Sequence, residues 1–185
     1  MKLFAIFILV GAFLLPGPGC VIVDPLIIAI GLPLEVCADL NGGNSWDNLE
    51  TYNIEDEIND ISTEYLDNVL ATRVNDIRVY MTDPPASGTS SGTLFYAFSD
   101  GTMRQLATWT DVPFSTLAAP GVSILDTSVV SYDPTELAAL LGVLQDSTGL
   151  FINQITIRTV GSTSVNVPAG KTICARIDYQ LDVEL

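Results

Sequence analysis

Histidine is absent from the 185 residues of this chain, and lysine and arginine together number only seven. Without histidine the chain lacks the usual general base and the commonest metal ligand, so Ser-His-Asp and Cys-His catalytic arrangements are excluded. It also lacks S-x-x-K, a phosphate-binding G-x-x-x-x-G-K and a C-x-x-C pair. The sequence therefore does not indicate an enzyme, although catalysis by serine or carboxylate groups alone stays open.

Positive charge is scarce beside 22 aspartate and glutamate residues, and the formal net charge is −15. Such a surface repels nucleic acid and anionic membranes, so we expect no nucleic-acid partner. Two interpretations of the acidity remain, namely a solvated surface of the kind that a saline habitat selects, or local binding of cations. With 48% hydrophobic residues, a chain of this length is expected to form one domain with its own core.

The N-terminal sequence MKLFAIFILVGAFLLPGPGC has the three parts of a secretory signal: a basic start at Lys2, an apolar run over residues 3–15, and small residues with proline before Cys20. The apolar run is too short for a dedicated membrane span. Its end resembles the lipobox of a bacterial lipoprotein signal, in which the chain is cut before a cysteine that becomes lipidated. Gly19 matches that pattern, whereas the position three residues before the cysteine is glycine where the family has leucine.

The lipoprotein resemblance implies a signal peptide over residues 1–19 and a single mature domain over residues 20–185. Cys20 would then carry acyl chains and anchor the domain to a membrane of the cell envelope, at the outer membrane, in the periplasm or at the cell surface. A plain signal peptide and a retained anchor are the alternatives. Loss of Lys2 with the signal leaves 22 acidic and 6 basic side chains, a net charge of −16.

The other two cysteines form an even pair, as expected for one disulfide in an oxidising compartment. Apolar residues alternate with polar ones in LPLEVCADL, around Cys37, and in KTICARIDYQLDVEL, around Cys174. This period of two is typical of strands with one buried face, and both cysteines fall on the polar face. We therefore predict a disulfide between Cys37 and Cys174, with two unrelated free thiols as the alternative.

The remaining sequence predicts a mainly β protein, an antiparallel β-sandwich with two short helical inserts. One insert is expected from Glu55 to Asn68, where the apolar spacing becomes helical. The other follows Asp133, which is placed to cap it, with proline next and Glu136 three residues after the cap. Asp100-Gly101 predicts a hairpin. The apolar segment 21–33 is expected to belong to a long internal strand or, alternatively, to insert into a partner subunit.

One polar segment, DLNGGNSWDNLE, resembles an EF-hand calcium loop in the spacing of its oxygen ligands. Asp39, Asn41, Asp47 and Glu50 stand at its positions 1, 3, 9 and 12, although the fifth and sixth positions depart from the pattern. The resemblance implies a Ca²⁺ site in a loop between strands. The competing interpretation is an ordinary solvated acidic loop.

Large aromatic residues suggest a second kind of site, because a β-sandwich commonly binds sugars by stacking them on exposed rings. Trp46 lies in a segment that composition marks as a loop, and Trp109 lies between two threonines in a predicted strand. Both are candidates for ligand stacking. Burial in the core accounts for large aromatic residues equally well.

Two functions from different classes follow. The first is an exported, lipid-anchored envelope protein that acts as a non-catalytic structural or binding module, with another envelope protein or a polysaccharide as its partner. The alternative is a histidine-free hydrolase that uses carboxylates, or a carbohydrate-binding module. A concave pocket with two facing acids would favour the hydrolase, and a filled sandwich with an acidic surface would favour the module.

Overall fold

The computed structural model describes residues 27–53, 56, 69–144 and 154–184. Strands dominate these residues, with short helices between them, so the predicted mainly β fold is confirmed. The strands are Ile27–Asp39 (β1), Ser45–Tyr52 (β2), Val69–Thr82 (β3), Thr89–Ala97 (β4), Arg104–Pro113 (β5), Val122–Ser123 (β6), Val130–Tyr132 (β7), Ile155–Thr163 (β8) and Thr172–Glu184 (β9). The helices within the described part are Phe114–Leu117 (α1) and Pro134–Leu144 (α2).

The strands form two antiparallel sheets that face each other as a sandwich. The four-stranded sheet has the order β1-β9-β3-β6, and the five-stranded sheet has the order β2-β8-β4-β5-β7. Four of the strand pairs are nested along the chain, since β1 pairs with β9, β2 with β8, β3 with β6, and β4 with β5. Successive pairs alternate between the sheets, as in one long hairpin rolled up. This is the topology of a jelly roll, and β7 adds a short edge strand.

Alternate residues of each central strand fill the space between the sheets. In β1, Leu34 and Val36 are almost fully buried, and in β9 the same holds for Ile173, Ile177 and Leu181. Their neighbours along each strand point to the outer face, which is the period of two that the sequence predicted. The interior is therefore a continuous apolar core shared by both sheets.

Two tryptophans and two glycines lie in one row across the five-stranded sheet. Trp46 on β2 pairs with Gly161 on β8, which pairs with Gly92 on β4, which pairs with Trp109 on β5. A Cβ atom on Gly92 would overlap the Trp109 ring, and one on Gly161 would overlap the Trp46 ring. The two indoles lie over the glycines and stack on each other, with ring centroids 6.4 Å apart and an interplanar angle of 17°.

Helix α2 begins as the sequence predicts. The Asp133 carboxylate accepts hydrogen bonds from the backbone N–H groups of Thr135 at 2.8 Å and Glu136 at 3.2 Å, which satisfies two donors of the first turn. Leu140 is completely buried, whereas Leu141 is half-buried at the border of the core.

Two tyrosine hydroxyls tie helix α2 to both sheets. Tyr96, on β4, donates to the Glu136 carboxylate at 2.8 Å, near the start of the helix. Tyr179, on β9, donates to the backbone oxygen of Leu144 at 2.9 Å, at the end of the helix. The helix therefore closes one end of the sandwich by bridging the five-stranded and the four-stranded sheets.

The structure also bears on the predictions for the N-terminal third of the chain. Strand β2 begins at Ser45, so residues 45–48, the second half of the segment 41–48 that composition marks as a loop, instead pair with β8. Residues 27–39 form a strand of this chain's own four-stranded sheet. This confirms the prediction of a strand within the chain for the described part of the segment 21–33. The helix expected from Glu55 to Asn68 lies outside the described residues except for helical Asp56. Across the described chain, every helix is too short or too polar to cross a membrane.

Candidate functional site

Cys37 and Cys174 lie directly opposite each other on the paired strands β1 and β9 and form a disulfide. Their Cα atoms are 4.1 Å apart, and 137 residues separate them along the chain. The predicted pairing is confirmed, and the terminal strands of the sandwich are neighbours. The bond lies on the outer face of the four-stranded sheet.

A tyrosine and a carboxylate surround this disulfide. Tyr80, on β3, lies opposite Cys174, and its hydroxyl donates to the Glu35 carboxylate on β1 at 2.5 Å. To reach Glu35 the Tyr80 side chain crosses β9 beside the disulfide, and Cys174 is only 1% exposed. A Glu35 carboxylate oxygen lies within 4.8 Å of both cysteine sulfurs. Burial, and then the hydrogen bond to Glu35, raise the pKa of the Tyr80 phenol well above its usual value.

Two arginines and two aspartates continue this outer face on β3 and β9. Arg78 lies opposite Arg176, and Asp76 lies opposite Asp178. Like charges that face each other across strands are destabilising, but each aspartate binds the arginine of its own strand. The distances are 2.7 Å for Arg78 and Asp76, and 2.5 Å for Arg176 and Asp178. Ser123 also donates to Asp76, at 2.6 Å.

Every lysine and arginine in the described part of the chain pairs with an aspartate. The pairs are Arg73 with Asp182, Arg78 with Asp76, Arg104 with Asp100, Arg158 with Asp47, Lys171 with Asp83, and Arg176 with Asp178. The described cations are thus compensated locally, and the acidic excess stays on the surface. No cluster of uncompensated positive charge is available there to bind phosphate groups.

The residues of the calcium hypothesis are spread over two strands and a turn. Asp39 ends β1, Asn41 lies in the turn with a positive φ of 42°, and Asp47 and Glu50 lie in β2. Three residues apart in a strand, Asp47 and Glu50 point to opposite faces, so one ion does not reach both. Arg158 binds Asp47 in a two-pronged contact at 2.8 and 2.6 Å, and this hydrogen bonding lowers the pKa of that carboxyl. The loop geometry that the EF-hand spacing requires is not formed.

Only one group of three potential metal ligands occurs among the described residues, and it consists of Glu35, Cys37 and Cys174. Both sulfurs of that group are bonded to each other. A thiolate binds metal, whereas a disulfide sulfur does not take that role.

The tryptophans proposed for ligand stacking are core residues. Trp46 is 6% exposed and Trp109 is 2% exposed. Their indole N–H groups donate inside the sandwich, from Trp46 to the Thr159 hydroxyl at 3.2 Å and from Trp109 to the Ser90 hydroxyl at 3.0 Å. Because the rings lie over glycines and against each other, neither presents a face to a sugar. The structure therefore follows the competing interpretation, burial in the core.

Ser90 also stands at the centre of a G-x-S-x-G sequence, residues 88–92. In hydrolases that spacing places a nucleophilic serine on a sharp turn between a strand and a helix. Here Ser90 lies within β4, has no exposed surface, and accepts the hydrogen bond of Trp109. Its hydroxyl supports the core and does not face a substrate.

Two concave surfaces of the described residues are shallow and open, and both have hydroxyl groups in their walls. An open depression of about 490 Å³ lies between β5 and β7, and one of about 350 Å³ lies over the two glycines on the outer side of the five-stranded sheet. Neither contains a carboxylate. The residues around the larger one are Thr108, Thr110, Thr127, Ser128, Val129, Val130, Ser131, Tyr132 and Pro134. Such walls offer hydrogen bonds and apolar contact but no carboxylate.

No protein-family model and no curated protein matches the chain. Among solved structures, a chain of turnip yellow mosaic virus aligns with 12% identity and a TM-score of 0.38, over 98% of this chain and 90% of that one. A chain of Desmodium yellow mottle tymovirus aligns with 10% identity and a TM-score of 0.37, over 100% of this chain and 95% of that one. Similarities this distant carry no argument about the present chain.

Proposed function

We propose that the chain is an exported, lipid-anchored protein of the cell envelope, which acts there as a non-catalytic structural or binding module. The observation that carries the proposal is the Cys37–Cys174 disulfide. Disulfides form and persist in oxidising compartments outside the cytosol. Since these two cysteines pair with each other, Cys20 is left as the one cysteine for the lipid that the signal sequence implies.

The position of the disulfide suits a protein held by its N-terminal region. The lipid at Cys20 would pull on β1 from its first residues, and such a pull would peel β1 from β9. The bond at Cys37 lies near the other end of β1, so peeling would stop there, and β1 would stay linked to β9 at that point. A pull on the tether would therefore stop at the disulfide before it reached the strands that follow β1.

A non-catalytic role agrees with the state of the carboxylates. Asp76 and Asp178 are the facing acids of the outer surface described above, but each is bound to an arginine, and they lie on an open sheet rather than in a cleft. The two depressions are lined by hydroxyl groups. These walls suit a neutral partner such as a polysaccharide or the surface of another envelope protein, and they lack the acid pair that glycoside hydrolysis requires.

Mass spectrometry of the protein from the membrane fraction of a bacterium that expresses the full chain tests the proposal. We expect a mature N-terminus at Cys20 that carries acyl chains, and we expect Cys20→Ser to move the protein from the membrane fraction to the soluble fraction. Cys37→Ser is the matched control, because it removes a cysteine without touching the anchor and should leave the protein in the membrane fraction. An unmodified N-terminus at another residue would refute the lipid anchor, as would membrane retention of Cys20→Ser.

A further inference from the structure

A sandwich has four sheet edges, and three of them are protected here. Strands β6 and β7 are edges of only two and three residues. Strand β2 carries exposed acids, including Asp47 and Glu50. Short or charged edges are the usual protection against pairing with another chain. Strand β1, with 13 residues, is the remaining edge, and its two halves differ.

The register fixes which backbone groups of β1 face outward. The short distance of 4.1 Å between the Cα atoms of Cys37 and Cys174 marks a pair that does not exchange backbone hydrogen bonds. The register continues without a break from Asp39 to Ile27, so every odd-numbered residue of β1 directs its N–H and C=O away from β9. Pro33, which has no N–H to donate, stands at one of these outward positions.

Side chains from β2 cap the second half of this edge. The Tyr52 hydroxyl accepts from the N–H of Glu35 at 3.0 Å and donates to the C=O of the same residue. The Asn48 amide donates to the C=O of Cys37 at 2.6 Å. These contacts satisfy the N–H and C=O of Glu35 and the C=O of Cys37, so β2 side chains obstruct an incoming chain along this half.

The first half has no such caps within the described residues. Ile27, Ala29 and Gly31 direct their N–H and C=O groups outward, and all three residues are exposed, Ile27 by 53%. Residues 27–32 carry no charge, whereas the chain as a whole has a net charge of −15. An exposed, apolar, uncharged edge with unpaired backbone groups is a template for β-strand addition.

We propose that residues 27–31 of β1 pair with the same residues of a second copy of this chain, antiparallel about a two-fold axis at Ala29. In that register Ile27 faces Gly31 of the second copy, Ala29 faces its counterpart, and Gly31 faces Ile27. Each pair exchanges two backbone hydrogen bonds, which gives six in total and joins the two four-stranded sheets into one. A second copy fits for two reasons. The register is self-complementary, and along this uncharged stretch of edge no negative charge of one acidic chain faces a negative charge of the other.

Sedimentation equilibrium of the full chain in detergent tests this pairing over a range of concentrations. Ala29→Pro removes the two central hydrogen bonds and should raise the dimer dissociation constant on the order of thirtyfold. Its fold should survive, because Pro33 already occupies the same outward phase, and an unchanged urea midpoint measured on the monomer checks this. Ala29→Ser keeps the N–H and should dimerise as the wild type does.

Hydrogen exchange supplies a second readout. The amides of Ala29 and Gly31 should be protected only at concentrations where the dimer forms. A protein that stays monomeric with fast exchange at these amides would overturn the proposal. Protection in a monomer would also overturn it, because another part of the same chain would then cover the edge. A dimer that tolerates Ala29→Pro would place the contact elsewhere.

Discussion

Each sheet of the sandwich is stabilised in a different way. The four-stranded sheet joins its first and last strands by a covalent bond, Cys37–Cys174, and carries a lattice of ion pairs on its outer face. The five-stranded sheet relies on packing, with two indoles laid over two glycines inside the sandwich and threonine and serine hydroxyls outside. Across its strands, one sheet is therefore secured by a covalent link, and the other by the close fit of many weak contacts together with the ion pair between Arg158 and Asp47.

This difference predicts how each sheet responds to mutation. Removal of a covalent link acts on the unfolded chain, which regains the freedom that the link denied it. Removal of a close fit acts on the folded state, through a clash or a cavity. Variants of each kind therefore separate the two mechanisms.

Loss of the disulfide should have the largest effect. The disulfide closes a loop of 137 residues and so restricts the unfolded chain. By chain-entropy arguments this restriction stabilises the folded state by about 5 kcal/mol. Cys37→Ala should lower the free energy of unfolding by about that amount in urea melts, and the double variant with Cys174→Ala should be no less stable than either single one. Additive losses would mean that each side chain stabilises the fold independently of the bond.

Helix α2 bridges both sheets, so damage to its buried face should weaken the whole sandwich. Leu140 has no exposed surface, and Leu140→Ala should lower the free energy of unfolding by about 3 kcal/mol. Half-buried Leu141 provides the control, since Leu141→Ala should cost about 1 kcal/mol. Equal urea midpoints for the two variants would show that the helix does not pack through Leu140.

A single methyl group should disturb the five-stranded sheet. In Gly161→Ala the added Cβ meets the Trp46 ring and the backbone oxygen of Ser91, so we expect a loss of about 2 kcal/mol and a changed near-ultraviolet circular dichroism of the tryptophans. Gly142→Ala, in helix α2, meets nothing within 4 Å and should raise stability by up to about 1 kcal/mol. A near-ultraviolet spectrum of Gly161→Ala identical to that of the wild type would contradict the packing described for this row.

The smallest expected effect concerns alkaline pH and depends on Tyr80 of the four-stranded sheet and Tyr96 of the five-stranded sheet. The pKa of Tyr80 and that of Tyr96 are both raised, first by burial and then by hydrogen bonds to Glu35 and Glu136. In the unfolded chain tyrosine ionises near about pH 10. Stability is therefore fully present below that pH and falls as the pH rises above it, because the folded phenols stay protonated.

Urea midpoints measured on both sides of about pH 10 check this dependence. They should fall less steeply in Tyr80→Phe and Tyr96→Phe than in the wild type. Phenolate absorbance of both tyrosines that develops in the folded protein at the ordinary pH would contradict the raised pKa values.

The sequence predicted features that depend on local periodicity. Alternation around Cys37 and Cys174 located both strands and put both sulfurs on one face, and the Asp133 cap located the start of helix α2. Features that depend on pairing between distant strands were not predicted. Trp46 was assigned to a loop because its neighbours are polar, but β8 pairs with that segment, and Gly161 provides the space for its ring. The Tyr80 contact with Glu35 likewise requires β9 between their strands, which no local pattern reveals.

The nested pairing of the strands also bears on how fast the protein folds. In a rolled hairpin, β1 meets β9 only when nearly the whole of the intervening chain is in place, and the pairs of β2 with β8 and β3 with β9 also span long stretches of sequence. Folding rates fall as the mean sequence separation of contacts rises, so this topology belongs with the slow folders. The hairpin of β4 and β5 is the most local of the pairings and the natural place for structure to begin. Until β9 docks, apolar strand β1 has no neighbouring strand on either of its edges. The newly made chain is then most vulnerable to aggregation.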